Sequence, residues 1–428
     1  MKKLLFPIFC LSAAMLPACV HMEQAASAAS PVASCDMTTD KNATTPLLYS
    51  SREGNTKNVL CLLDSGANVN ESDKDGWTAL MYTASRGHTE TAKQLIDRNA
   101  NVNAATKPQQ VPHPMGGQTA LHFAARNGHT EITRMLLDKG AHIDAADDDG
   151  DTPLMDASHN GHVEIVRLLI EKGANLNAAS KVKDGQPLPI FGTPTWEGGY
   201  TALHLALMGT ATIDLEQRAR NIEAARLLIE SGADINAAEG NGYTPLMNAQ
   251  APWEVDIFRL LVSKGANVNA ADKEGKTVLM HTSNLDHVRL LIKKGAKVNA
   301  TDNEGKTALM HAGISRDYNL AMLLIEKGAN IHAVDKTGYT TLMSAADSPK
   351  LTSFFIKKGV KVNAATRRGH TALMYAALYG NVDVGRQLIK KGANIHALSA
   401  TNETPLFIAK TYEKWEFVKM LRAAGAKI

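Results

Sequence analysis

Aromatic residues are scarce in this chain: four Trp, nine Tyr and nine Phe make up 5% of 428 residues. Large rings therefore cannot dominate its core, and Ala, Leu, Ile, Val and Met must fill it. Cysteines number only four. No Cys-x-x-Cys, His-Glu-x-x-His or Gly-x-Ser-x-Gly occurs, so the short signatures of zinc sites, metalloproteases and serine hydrolases are missing. Beyond residue 20 no apolar run is long enough to cross a bilayer as a helix. What is present is ordinary for a folded protein: 44% hydrophobic and 21% charged residues, with length for two or three typical domains. The net charge of +3 hides an uneven distribution. Basic residues exceed acidic ones by 12 in residues 263–428 and fall short by 9 in residues 1–262.

The first residues have the pattern of a secretory signal. Lys2 and Lys3 precede an apolar stretch, Leu4 to Leu16, which is too short to span a membrane. Two endings are open. Leu16-Pro17-Ala18-Cys19 resembles the lipobox of bacterial lipoproteins, in which the Cys is lipidated and becomes the first residue, although Pro17 departs from that pattern. Ordinary cleavage after Ala26-Ser27-Ala28 is the alternative. The expected location is the periplasm, with Cys19 as the membrane tether on the first reading. Residues 1–18 are the expected signal and residues 19–43 a linker. Either ending leaves Cys35 and Cys61 as an even pair, a candidate disulfide in an oxidising compartment. The other reading is two free thiols.

The rest of the chain is periodic. Thr-x-Leu begins at Thr45, Thr78, Thr119, Thr152, Thr201, Thr244, Thr277, Thr307, Thr340, Thr371 and Thr404, and five of the ten spacings are 33 residues. Gly stands two residues before nine of these anchors, from Gly76 to Gly369. Gly-Ala-Asn-Val-Asn or a close variant closes most units, as at 66–70 and 265–269. Such a period marks a repeat architecture. Thr152-Pro153 reads as a helix cap with proline in the first turn. Val163, Val166, Leu169 and Ile170 fall at helical spacing, and Gly173 ends the helix. The stretch 149–175 resembles the ankyrin repeat, and the resemblance covers residues 44–428. It implies an all-α solenoid of about eleven ankyrin repeats, each a helix-turn-helix with a β-turn or hairpin. Stacked at about 8–10 Å per helix layer, these would form a curved rod. It also implies a concave binding face lined by the turns and first helices.

Several chemical signals give way to structural readings. Seven Met occupy one repeat position, three after the anchor, where His122 and His204 keep the family's His; recurrence there points to packing and not to copper handling. His88, His129 and His162 belong to the Gly-His turn. His281 and His311 lie four after the anchor in adjacent repeats, about 10 Å apart, too far to share zinc, whose nitrogen ligands sit about 2.0–2.1 Å away. No metal or cofactor is expected. Glu-Gly-Lys-Thr at 274–277 and 304–307 lacks the upstream Gly of a phosphate loop. Asp147, Asp148 and Asp149 read as a solvated turn, so no acid–base pair is expected and the chain reads as no enzyme. Lys293-Lys294, Lys357-Lys358 and Lys390-Lys391 end second helices; cations stabilise such ends, and the competing reading is a basic edge for an acidic partner.

Departures from the repeat are the functional clues. Insertions near 104–118 and 180–200 enter at inter-repeat turns. A third, near 208–220, carries Asp214-Leu-Glu-Gln-Arg-Ala-Arg, which reads as extra helix. Residues just before the anchor or four after it are least constrained by packing. Among them Trp77, Tyr82, Phe123, Tyr200 and Tyr243 are the candidate partner contacts, joined by Phe191 and Trp196 from the second insertion. The expected function is a periplasmic protein-binding scaffold, in its most specific form an immunity or inhibitor protein for a secreted toxin. The alternative is an envelope-organising or stress-protection protein with several weak partners. A metal carrier or enzyme is a third class. No nucleic acid is expected as a partner. The tether is testable: palmitate should label the wild-type chain and not Cys19→Ser, and an unmodified mature protein beginning near Ala29 would remove the anchor while leaving export intact.

Overall fold

Threonine can cap a helix because its hydroxyl accepts an N–H that the first turn leaves without a partner. In the computed structural model, which describes residues 35–39, 45–108, 116–181 and 198–427, all eleven anchor threonines are N-caps of a first helix. Twenty-two α-helices occupy the described residues, two for each of eleven units. No β-strand occurs among those residues; isolated bridges such as Ser72 with Thr78 and Ala271 with Thr277 close a turn onto the anchor. The chain is an all-α solenoid.

Repeat four has the general form. Pro153–His159 is its first helix and Val163–Glu171 its second. Thr152 accepts the Met155 N–H at 3.4 Å, and Gly173 follows the second helix at φ 88°, a left-handed turn that suits glycine. The buried face of the second helix is Ile165, Val166, Leu168 and Leu169, with Val163 and Ile170 at its margins. That face is wider than a single helical stripe because the helix packs on its own first helix and on the second helices of both neighbours. Truncating one such buried Leu to Ala typically costs about 2–5 kcal/mol.

Neighbouring units are also joined by polar contacts. The His of the Gly-His turn reaches back to a carbonyl of the preceding unit: His88 to Arg52, His129 to Ser85 and His162 to Arg126, at 3.0, 3.3 and 2.9 Å. Gly87 shows why glycine precedes such a His. It has φ 77°, and a β-carbon there would lie 2.5 Å from the ring of His129 in the next unit. In repeat five the second helix is lengthened to Leu215–Glu230, begun by Asp214. The third insertion therefore extends an existing helix. Asn221 on it takes over the backward reach, donating to the Ser158 and His159 carbonyls at 2.9 and 2.8 Å.

The position three after the anchor has two chemistries. His122 Nδ1 accepts the Thr119 N–H, and its Nε2–H donates to the Asp151 carbonyl of the next unit at 3.1 Å. His204 does the same with Thr201 and the Tyr243 carbonyl. Burial lowers the His204 pKa to about 4, which keeps the ring neutral at ordinary pH. Methionine reproduces only the first half: Met81 and Met343 sulfurs accept the Thr78 and Thr340 N–H groups. Every Met of this series except Met280 is buried.

At the N-terminal end, Cys35 and Cys61 are joined in a disulfide with Cα atoms 5.6 Å apart. Asn58 also clasps the same segment, accepting the Asp36 N–H at 2.8 Å and donating to the Asp36 carbonyl at 2.9 Å. Residues 35–39 are thereby fixed to the second helix of repeat one, Thr56–Asp64.

His204→Met should keep the acceptor for Thr201 and lose the bond to the next unit. A cost of about 1 kcal/mol is expected, read as a lower urea midpoint with unchanged slope. An unchanged midpoint would mean that the inter-repeat bond adds nothing.

Candidate protein-binding face

Six inter-repeat turns are built around one acidic side chain, and the hydroxyls of Thr106, Ser180, Thr366 and Ser399 take its place in the other four. Asp73 Oδ1 accepts the Asp75 and Trp77 N–H groups, Asp272 those of Glu274 and Lys276, and Asp302 those of Glu304 and Lys306. The second oxygen of each accepts from the residue four after the anchor. Tyr82 donates to Asp73 at 2.6 Å, and His281 and His311 contact Asp272 and Asp302 at 2.7 and 2.8 Å. His281 and His311 are thus braces of their own turns.

Turn tips of successive units are joined through the backbone. Lys107 N–H donates to the Asp75 carbonyl, Asp148 to Gly116, Lys181 to Asp149 and Gly240 to Gly198, at 2.7–3.0 Å. Lys107 and Gly116 flank the first insertion, and Lys181 and Gly198 the second. Both insertions therefore leave and rejoin one continuous row of tips, on either side of repeat four.

Between them lies a cluster absent from the sequence reading. In repeat four the residue four after the anchor is Asp156, which cannot donate to its turn acid when ionised. Arg126 from repeat three pairs with it instead, at 2.9 Å. Arg126 also bonds Gln118, which donates to Asp147 at 3.2 Å. Asp147 and Asp156 are only 6% and 8% exposed. The expectation of a solvated turn is corrected for Asp147: it is buried because it accepts the Asp149 and Asp151 N–H groups, while Asp148 remains exposed. Burial pushes the Asp156 carboxyl up against the pull of Arg126. Burial, with Asp147, Asp156 and Asp149 close by, pushes Asp151 up to about 7. The second oxygen of Asp156 has no hydrogen-bond partner among the described residues. The apolar core changes hands here: one body of buried side chains runs from Leu47 to Ala141, another from Ala125 to Ala426.

The candidate aromatics flank this cluster. Trp77, half-buried, stacks on Phe123 at 4.2 Å and lies 5.1 Å from Tyr82. Phe123 is only 4% exposed and Tyr200 only 8%. Their expected availability is corrected: Trp77 covers Phe123, and Tyr200 packs edge-on to His204 within the core. Tyr243 is half-buried, with its ring 5.0 Å from that of His281. Trp77, Tyr82 and Tyr243 keep partly exposed surface. Cys19, Phe191 and Trp196 lie outside the described residues.

Two further groups escaped the sequence reading. Tyr339 and Tyr375 meet edge-on at 5.1 Å in repeats nine and ten, at the same two repeat positions that singled out Trp77 and Tyr82. Ile213, Leu215 and Trp253 are 96%, 71% and 45% exposed, and Arg218 on the lengthened helix lies 4.0 Å over the Trp253 ring. Among the described residues no group of three or more His, Cys, Asp or Glu is placed to hold a metal ion, and no helix is long and apolar enough to cross a membrane.

A family model described as ankyrin repeats, three copies, matches residues 18–106, 107–180, 215–302, 254–335, 282–366 and 342–428. The chain belongs to the ankyrin-repeat family, and the repeats mark it as a protein–protein interaction scaffold. A comparison with curated proteins finds no match.

The Asp151 shift has a definite sign. The folded state holds a proton that the unfolded chain, with a carboxyl near 3.8, releases. Stability therefore falls as pH rises from about 4 through about 7. Asp151→Asn should melt higher than wild type above neutral pH, with the gain shrinking toward pH 4. A gain that is equal at all pH values would contradict the assignment.

Proposed function

We propose that this chain is a non-catalytic scaffold of the periplasm, tethered by lipidated Cys19, that captures one protein partner on the turn-and-first-helix face of repeats two to six. One observation carries the placement: the two turn insertions leave the row of tips on either side of the turn that holds buried Asp147 and half-buried Asp151, in the half of the chain that carries the Trp77–Phe123 stack. Asp148, exposed at the tip of that turn, suits a partner that presents a cationic side chain, and Trp77, Tyr82 and Tyr243 supply rigid contact area. The most specific form is an immunity or inhibitor protein for a secreted toxin. A single partner is favoured over many weak ones because the departures from the repeat concentrate in repeats two to six.

The test is quantitative binding of the partner isolated from envelope extract. Trp77→Ala and Trp196→Ala should each weaken it by more than about 1 kcal/mol, roughly fivefold or more. The melting temperature of the Trp196→Ala protein should stay unchanged. Normal binding by both variants would move the site elsewhere on the solenoid, and a loss of stability in Trp196→Ala would make the second loop structural.

A further inference from the structure

The ends of the second helices carry a pattern that the binding face does not use. In the front repeats the last helical residue is acidic, and the cation capping the next unit's second helix reaches across to it. Arg98 pairs with Asp64 at 2.7 Å, Lys139 with Asp97 at 3.9 Å and Lys172 with Asp138 at 2.9 Å. These three consecutive rungs tie repeats one to four along one edge.

Behind repeat five the capping cations continue as Lys264, Lys294, Lys327, Lys358 and Lys391, all exposed. Their acidic partners are largely gone. The last helical residue becomes Ser263, Lys293, Lys357 and Lys390 in repeats six, seven, nine and ten. At the two repeat positions that hold Asp97 and Lys139 in front stand Lys293 and Lys327, and later Lys357 and Lys391. Glu326 survives but pairs with its own neighbour Lys327 at 3.0 Å. No carboxylate lies within ion-pair range of the other cations of this row among the described residues. One cation is enough to favour a helix C-terminus; a second, facing a third across the repeat interface, adds only repulsion.

The edge is also open. The glycine after each capping Lys has nothing within 4 Å of where a β-carbon would stand, at Gly265, Gly295, Gly328, Gly359 and Gly392. A cavity of about 390 Å³ between the second helices of repeats six and seven lies on the same edge. Arg259, Lys293 and Lys294 line it over Val262 and Leu290, and its one carboxylate, Asp286, is 3.4 Å from Arg289. The row holds one capping Lys per unit and is on the order of 40 Å long from Lys264 to Lys391 at one repeat per step.

We infer that this lysine edge docks the solenoid on an anionic phospholipid surface, with headgroup phosphates supplying the negative charge that the front repeats supply internally. An extended, unobstructed row of single charges matches a field of phosphates. Attraction of this kind accumulates with each lysine near the surface and fades with salt. The choice of a membrane over another polyanion rests on the export reading. The edge itself is separate from the partner-binding face, so either can fail alone.

The experiment uses the full chain carrying Cys19→Ser, which removes any lipid tether, and vesicles of phosphatidylcholine with or without about one third phosphatidylglycerol. Co-sedimentation should favour the anionic vesicles by at least about tenfold, and raised salt should abolish the preference. Lys294→Glu/Lys358→Glu/Lys391→Glu should lose it. The Gln version of the same triple, which spares the helix ends an acidic charge, should lose most of it at unchanged melting temperature. Lys336→Gln/Arg367→Gln/Arg368→Gln, at the turn tips of the same half, should retain it. Equal binding to neutral vesicles, or equal loss from the tip triple, overturns the proposal. So does capture of soluble polyglutamate without vesicle binding, which would assign the edge to an acidic protein.

Discussion

No unit of this protein can bury its own apolar side, and the packing of each helix pair against the next is the constraint on which the rest depends. A first helix of seven or eight residues, such as Ala79–Arg86, is far too short to persist alone. It exists because Leu80 and Met81 are covered on both sides by neighbouring units. The polar features follow from that requirement. Backbone groups at each boundary must be satisfied once water is excluded; the anchor Thr caps every first helix, a reaching His joins repeats one to four, and a turn carboxylate or hydroxyl closes each turn.

That repetition makes the exceptions informative. Asp73, Asp272 and Asp302 each face a partner four residues after the anchor; repeat four puts Asp156 there and pairs it with Arg126 from the preceding unit. The second helices of repeats two, three and four follow a Gly-His turn; repeat five replaces it with a long helix and Asn221. The front repeats join their outer edge by ion pairs, and the back repeats carry like charges at the same rungs. Each exception departs from what stacking requires, and function resides most readily in what stacking leaves unused. The resulting molecule has an acidic front half and a basic edge behind it.

Much of this was legible in the chain itself. Thr, Gly and the Gly-Ala-Asn closures have positional meaning set by local backbone chemistry, so the anchors marked the caps and the period marked the stack. The burial of the methionines followed from their recurrence at a single position. Exposure at the other positions was harder to read. Phe123 and Trp77 occupy positions that packing leaves freest, yet their rings find each other across the repeat boundary, because successive units bring residues 46 apart in sequence to within stacking distance. His281 and His311 looked free for the same reason and are engaged by acids nine residues before them.

Residue identity at periodic positions determined the fold class, the order of the units, the places where insertions enter and the uneven charge. Such features depend on neighbours within a few residues and on a period, both of which are written along the chain. Tertiary structure alone decided that Asp147 and Asp156 are buried beside Arg126, that burial and neighbouring carboxylates push the Asp151 carboxyl up, and that the cations of the back half line one open edge. These depend on which side chains the stack brings together from different units and on how much water it leaves around them, and neither quantity is contained in any single repeat.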